Sequence, residues 1–378
     1  MDRNSYFSAT YDEARERFLD AARLQDASVV HHQHPTARGP QGQSLYLDTV
    51  WIGPRDAQAV LVNTSGTHGA EGFAGSAAQL AWLSERGRAS LPPGVAMLMV
   101  HAVNPYGFAW GLRGTQDNVD LNRNWLDFSA PLPENELYEQ IHPFLCPTDI
   151  KPSTVNQLME EGARLIAKHG RWALEDAISR GQYTHPDGFH FGGTRSDWSS
   201  FILQDIFQND LSDVPHVGFI DWHTGPVGDG ELIYLCFSSP KSDQWQEAQR
   251  WWGADALDPA KVDRLWGSKR PSRVGIMYWG LEKLLEPAGE LVGGIIEFRS
   301  AQPKSNSIDA LKISMLERWL RFEGGFEAPE AAHYFNLLQN EYAPSRKSWR
   351  DTVLQNGLAT YDQTLAGLGS WDVTQAAD

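Results

Sequence analysis

Cysteine is nearly absent from this chain, with only Cys146 and Cys236 in 378 residues. Two thiols cannot staple a small fold or build a thiolate cluster, so any metal here falls to histidine and carboxylate. Both sit in apolar context and are expected as buried thiols. Long apolar runs are missing too. No window approaches the roughly 18 apolar residues of a membrane helix, and the start MDRNSYFSATYDEARERF lacks the apolar centre of a signal peptide. The expectation is a cytoplasmic protein with no membrane partner. Positive charge is in deficit: 32 Lys and Arg stand against 48 Asp and Glu, for a formal net charge of −16. Such a surface repels phosphate backbones, which argues against nucleic acid while leaving room for a local basic pocket. Repeats, low-complexity tracts and dividing linkers are also lacking, so residues 1–378 are expected to form one domain.

What is present is an ordinary globular composition, 41% apolar and 21% charged. The 15 tryptophans, among them Trp251 and Trp252, are expected in the core and between helices, a sugar-binding cleft being the lesser option. Apolar runs and alternation predict strands at 45–52, 58–63, 95–103, 216–222, 231–237 and 291–298. Helical spacing predicts helices at 8–24, 71–83, 153–168, 171–180, 197–208, 243–252 and 307–322. This alternation implies an α/β fold with a mostly parallel sheet. Residues 128–215 hold several helices and few strand signals, so they read as a helical excursion packed over one end of the sheet. The final stretch of about 20 residues is small and polar and is expected to be partly loose.

Four elements carry chemistry. His68 and Glu71 in SGTHGAEG sit where a buried strand gives way to a helix, and a spacing of three puts both on one side of the first turn. They offer an imidazole nitrogen and a carboxylate oxygen to a metal, with Gly66, Gly69 and Gly72 granting backbone room. Alone the pair is weak, because a glutamate in a first helical turn is stabilised by the helix dipole. His223 in FIDWHTG follows another apolar strand and completes a His₂Glu set. Asp221 is open to two readings, a partner that orients His223 or a strand-end salt link. Glu297 in GGIIEFRS ends a buried strand, where an unpaired carboxylate costs several kcal/mol. It is a candidate general base, with an ion pair to Arg299 as the alternative. Finally, NPYGFAWGLRGTQDNVDLNRNW packs Arg113, Asn122 and Arg123 into a polar, glycine-rich loop. Arginine forks grip carboxylates and stabilise oxyanions, although some Asn and Asp there must serve turns.

In order and local context these elements resemble the M14 zinc carboxypeptidases. VDLNRNW resembles the family's Asn-Arg segment and EFRS its stretch around the catalytic glutamate. Within that group NPYGFAWGLR, NVDLNRNW and GQYTHPDGFHFGG are most similar to the DUF2817 branch, over roughly residues 40–325. The resemblance implies a three-layer α/β/α sandwich with a mixed, mostly parallel sheet. It implies one Zn2+ ion on His68, Glu71 and His223, with Glu297 as the base for water attack. Arg113 would polarise the scissile carbonyl, and Asn122 and Arg123 would hold a substrate carboxylate. The mobile tyrosine of carboxypeptidases is assigned to Tyr278 in VGIMYWG, with Tyr234 behind it. The departure is the 128–215 excursion, longer than the corresponding family stretch, in which His185, His190 and Arg195 are candidate substrate contacts.

The expected function is hydrolysis of an amide or peptide bond beside a free carboxylate, on a small peptide or an N-acyl amino acid. An aspartoacylase-like deacylase and a small-molecule amidase are the nearer rivals. A non-catalytic binding module is the remoter one, since no ligand or base is missing. Oligomeric state is left open, homo-oligomers included.

Overall fold

The computed structural model describes residues 3–225, 232–258, 272–299 and 307–371. Seven strands form one mixed sheet in the order β1-β2-β4-β3-β5-β7-β6. They are β1 (Ser28–Arg38), β2 (Ser44–Ile52), β3 (Ala59–Ser65), β4 (Val95–His101), β5 (His216–Gly225), β6 (Leu232–Cys236) and β7 (Glu290–Arg299). β4, β3, β5 and β7 run parallel in the middle. β1 and β2 on one side and β6 on the other pair antiparallel. β3, β4 and β5 are buried along their whole length, as expected for parallel strands covered on both faces.

Helices cover both faces, giving three layers. One face packs against α1 (Tyr11–Arg23), α2 (Gly72–Glu85), α8 (Asp243–Trp252) and α12 (Lys347–Ser370). The other packs against α7 (Trp198–Leu211) and α9 (Met277–Leu285). The first face includes Phe18, Leu61, Trp82, Trp222 and Phe298, together with Trp251 and Trp252. A polar network crosses it: Tyr361 on α12 donates to Asn63 Oδ1 (2.8 Å) and accepts from Trp222 Nε1 (2.9 Å), while Gln79 on α2 also donates to Asn63 (3.0 Å). Such buried hydrogen bonds fix how α2 and α12 sit on the sheet.

The remaining helices among the described residues are α3 (Pro105–Trp110), α4 (Glu136–Leu145), α5 (Pro152–His169), α6 (Arg171–Ser179), α10 (Ser307–Phe322) and α11 (Ala331–Tyr342). α4 and α6 contribute Tyr138, Ile141, Leu145, Leu174 and Ala177 to a separate small core that also takes Phe189 and Met315 of α10. The excursion thus divides: α7 joins the sheet, whereas α4, α5 and α6 pack together. The end of the chain corrects the expectation of a loose tail as far as Ser370. α12 runs 24 residues and buries Trp349, Leu354, Leu358, Tyr361 and Leu365, small polar residues occupying the turns between them. Both cysteines are unbridged, Cys236 buried and Cys146 half-buried. Among the described residues, no helix is long and apolar enough to cross a membrane.

Candidate active site

β3 ends at Ser65, and Gly66, at φ +68°, turns the chain into the loop that carries His68. A single 3-10 turn, Gly69–Glu71, then leads into α2. Its backbone is fixed from outside, Gly69 and Ala70 donating to the carbonyls of Arg113 (3.2 Å) and Leu112 (2.8 Å). His223 lies near the end of β5, one strand over, and Glu297 is its in-register partner on β7. Strand register thus delivers a histidine and a carboxylate side by side at the carboxyl edge of a parallel sheet, where open α/β folds bind ligands. Gly225 makes room for this, because a Cβ there would collide with the Glu297 carboxylate.

The buried heart of the site is Glu71 between two imidazoles. Its Oε1 lies 3.0 Å from His68 Nδ1 and its Oε2 2.9 Å from His223 Nδ1, and Oε2 also accepts from the Thr224 backbone (2.9 Å). Each imidazole is held from behind by an aspartate. His68 Nε2 is 3.1 Å from Asp120 Oδ1, and His223 Nε2 is 2.6 Å from Asp221 Oδ2. The aspartates are fixed in turn. Asp221 Oδ1 accepts from Thr64 (2.7 Å) and Thr67 (2.6 Å), and Asp120 Oδ1 from the Asn122 backbone (2.9 Å). The two Nδ1 atoms converge on the Glu71 carboxylate, while His68 Nε2 also meets Arg113 Nη2 (2.8 Å) and His223 Nε2 the Asn122 amide nitrogen (3.3 Å). Burial works against charge at His223, but Asp221 and Glu71 outweigh it and raise its pKa to about 10. Burial would raise the Glu71 pKa, yet His68 and His223 hold it well below the usual carboxylate range. The two nitrogens and one carboxylate fit a divalent ion such as zinc.

A second trio of ligand atoms within 4.8 Å of one another, from His142, Cys146 and Asp187, is only half-buried. There Asp187 is already paired with Arg318 at 2.8 Å.

Around the histidine–glutamate set lie the other charges. Burial raises the Glu297 pKa, with Arg273 and His223 opposing. The cation acting most on Glu297 is therefore Arg273, not the Arg299 considered from sequence. Arg113 reaches Asp120 through Nε (3.2 Å) and Nη2 (3.0 Å), and Glu71 through Nη1 (3.2 Å). Arg123 gives three of its five N–H groups to carbonyls: Nε (3.1 Å) and Nη2 (2.6 Å) to Ser179, Nη1 to Asn122 (2.6 Å). Burial, with Arg273 and Arg113 nearby, lowers its pKa to about 10 despite Asp120, which marks a place receptive to an anion. The Asn122 side chain is engaged at both ends, donating to Asp221 (3.1 Å) and accepting from the Met277 backbone (3.0 Å).

One cavity of about 530 Å3 brings together His68, Glu71, Arg113, Asn122, Arg123, His223 and Glu297, and continues between α4, α5, α6 and α10. His190 lines it, while His185 and Arg195 do not. His185 instead pairs with Glu139 (2.8 Å) and stacks on His142. Among the described residues no tryptophan lines the cavity.

Tyr278 departs from its expected place. It sits in the sheet–helix core, its hydroxyl 2.8 Å from Ser238 Oγ and donating to the Leu291 carbonyl at 3.1 Å. The inward stripe of α9 carries it there, away from the cavity. Tyr234 is bonded to Thr360 at 2.9 Å and is not among the lining residues either. The tyrosine that does line the cavity is Tyr342, at the end of α11. Burial raises its pKa, and Glu71 and Arg113 are the charges that act on it next. The sequence reading missed Tyr342, which carries no motif, and Asp120, which stood in plain view in VDLNRNW.

A family model described as "Protein of unknown function (DUF2817)" matches residues 7–356. No curated protein matches the chain. Among solved structures the chain is similar to a metallo-carboxypeptidase from Burkholderia cenocepacia, at 14% identity and a TM-score of 0.48, covering 97% of this chain and 72% of that one. It is similar to bovine thrombin-activatable fibrinolysis inhibitor in complex with tick carboxypeptidase inhibitor, at 12% identity and a TM-score of 0.45, covering 93% and 98%. A third is a succinylglutamate desuccinylase from a Silicibacter species, at 14% identity and a TM-score of 0.37, covering 78% and 67%.

Proposed function

The chain belongs to the DUF2817 family, and from that premise and the site geometry we propose that it is a metal-dependent hydrolase cleaving an amide bond beside a free carboxylate. The observation that carries this reading is the convergence of two aspartate-backed imidazoles on Glu71, with Glu297 in register beside His223. His68 Nδ1, His223 Nδ1 and Glu71 would hold one divalent ion, zinc by the nature of the donors. Bound there, the ion would supply Lewis acidity toward water and toward the carbonyl.

The rest is the work of the chain. Glu297 takes a proton from the attacking water and returns it to the departing nitrogen, a task suited by a pKa raised through burial. Arg113, anchored by Asp120, supplies fixed positive charge where the oxyanion grows. The N–H groups that Arg123 does not spend on carbonyls, with Arg273 near, hold the substrate carboxylate. Asn122 acts as a strut between Asp221 and α9, its amide being engaged at both ends.

Glu297→Gln should lower kcat by roughly 10²–10⁴-fold while metal content stays at the wild-type level. Near-normal turnover of the purified variant would remove the base and the mechanism with it.

A further inference from the structure

The polar groups above occupy one end of the cavity. The other end is a chamber walled by the excursion. α5 turns Leu158, Met159 and Leu165 toward it, α4 adds Phe144, α6 Leu174 and α10 Met315, while Arg171, paired with Glu175 at 2.7 Å, and Lys312 also line it. The α5 positions recur at three- and four-residue steps from Val155 to Ile166, the spacing of one helical face. In a packed protein that face would be sealed against the core. Here Leu158, Met159 and Leu165 are only half-buried, and Ile166 is 37% exposed. An apolar face left open to a cavity that also holds the metal set and the arginines has the composition of a ligand-binding wall.

We propose that the substrate carries a large uncharged apolar group, an alkyl or aryl chain, seated in this chamber while its amide lies at His68, Glu71 and His223. This rests on the hydrolytic reading above and names its substrate class. The reaction is plain hydrolysis: water adds to the carbonyl carbon, the C–N bond breaks, and the proton goes to the amine, giving a carboxylate and an amine. The apolar group can belong to the acyl half or to the side chain of the amine half. The chemistry of the wall is the same for both.

The test uses the intact metal-loaded protein and two substrate series. One is N-acylglycines from acetyl to dodecanoyl, and the other is N-acetyl amino acids from glycine through leucine to tryptophan. In one series kcat/KM should climb about three- to fourfold per buried methylene until the chamber is filled, and Leu158→Asn with Leu165→Asn should flatten that climb. These side chains are half-buried, so the double variant is expected to fold. Circular dichroism and metal content check that it does. Turnover with no dependence on apolar size in either series overturns the inference and leaves the hydrolytic reading standing. Calorimetry on Glu297→Gln separates the opposite case. Decanoylglycine binding at least tenfold tighter than acetylglycine, a preference lost in the Leu158/Leu165 background, supports the chamber even if nothing is hydrolysed. Equal binding of these two probes, together with equal binding of N-acetylglycine and N-acetyltryptophan, overturns it.

Discussion

The two ends of the cavity are built on opposite plans. At the sheet end His68, Glu71, Asp120, Asp221 and His223 are all buried, and threonines, backbone amides and Arg113 hold the carboxylates in place. At the helical end the wall is largely apolar, with Arg171, Glu175 and Lys312 beside it, and its main contributor, α5, buries none of the leucines it presents. Rigid, over-determined geometry serves bond cleavage, in which small displacements are costly. A yielding apolar wall serves recognition of a shape. The difference teaches that in this chain positioning is the task of the sheet and selection that of the inserted helices.

The contrast can be broken by stability measurements. Leu61→Ala, in the core under the sheet, should cost about 2–5 kcal/mol, whereas Leu158→Ala on α5 should cost roughly 1 kcal/mol or less. Urea titrations compare the two, and equal costs would mean that α5 is ordinary core. Next in size is the aspartate backing. Asp120→Asn should weaken metal binding about 10–100-fold, read by competition with a chelating dye, and unchanged affinity would reduce Asp120 to a loop anchor.

The sheet end should also respond to acid. Burial pushes the His101 pKa down to about 4, against 6.5 for a free histidine. Between those values the unfolded chain binds a proton that the folded chain refuses. His101 therefore contributes no penalty above pH 6.5, and stability falls as pH drops toward 4. The loss between pH 6.5 and 5 is about 2 kcal/mol. His101→Gln should flatten this part of the profile in denaturation at both pH values. The smallest contrast lies between two tyrosines. Tyr342→Phe should reduce kcat/KM by roughly tenfold, and Tyr278→Phe should leave it within about twofold while costing about 1 kcal/mol of stability. The reverse order would return the cavity role to Tyr278.

How far the sequence could be read follows the same division. Strand ends were legible because buried parallel strands are continuous apolar runs, so His68, His223 and Glu297 stood out as polar residues where the runs stop. β1 was not, since its outward face alternates through exposed His31 and Gln33 and carries no apolar run. Asp120 was hidden because an aspartate in a glycine- and asparagine-rich loop looks like turn chemistry. Only tertiary placement shows it facing His68 across 52 positions of sequence. Tyr278 was misplaced because a motif assigns a residue to a site, whereas the rotation of α9 decides which way the side chain points. Tyr342 lies 45 positions beyond Glu297 on a helix with no signature of its own. The chamber was unreadable because the spacing that makes the apolar face of α5 is the same whether that face meets a core or a cavity.

The central claim is that Glu71 and the two imidazoles exist to hold a metal that Glu297 then exploits. The most direct measurement is the metal content of the purified, reconstituted protein by mass spectrometry, in wild type, Glu71→Gln and Glu297→Gln. The account predicts one equivalent of divalent ion in wild type and in Glu297→Gln, and loss of it in Glu71→Gln. A wild-type protein that takes up no ion, or a Glu71→Gln variant that keeps it undiminished, would contradict the account.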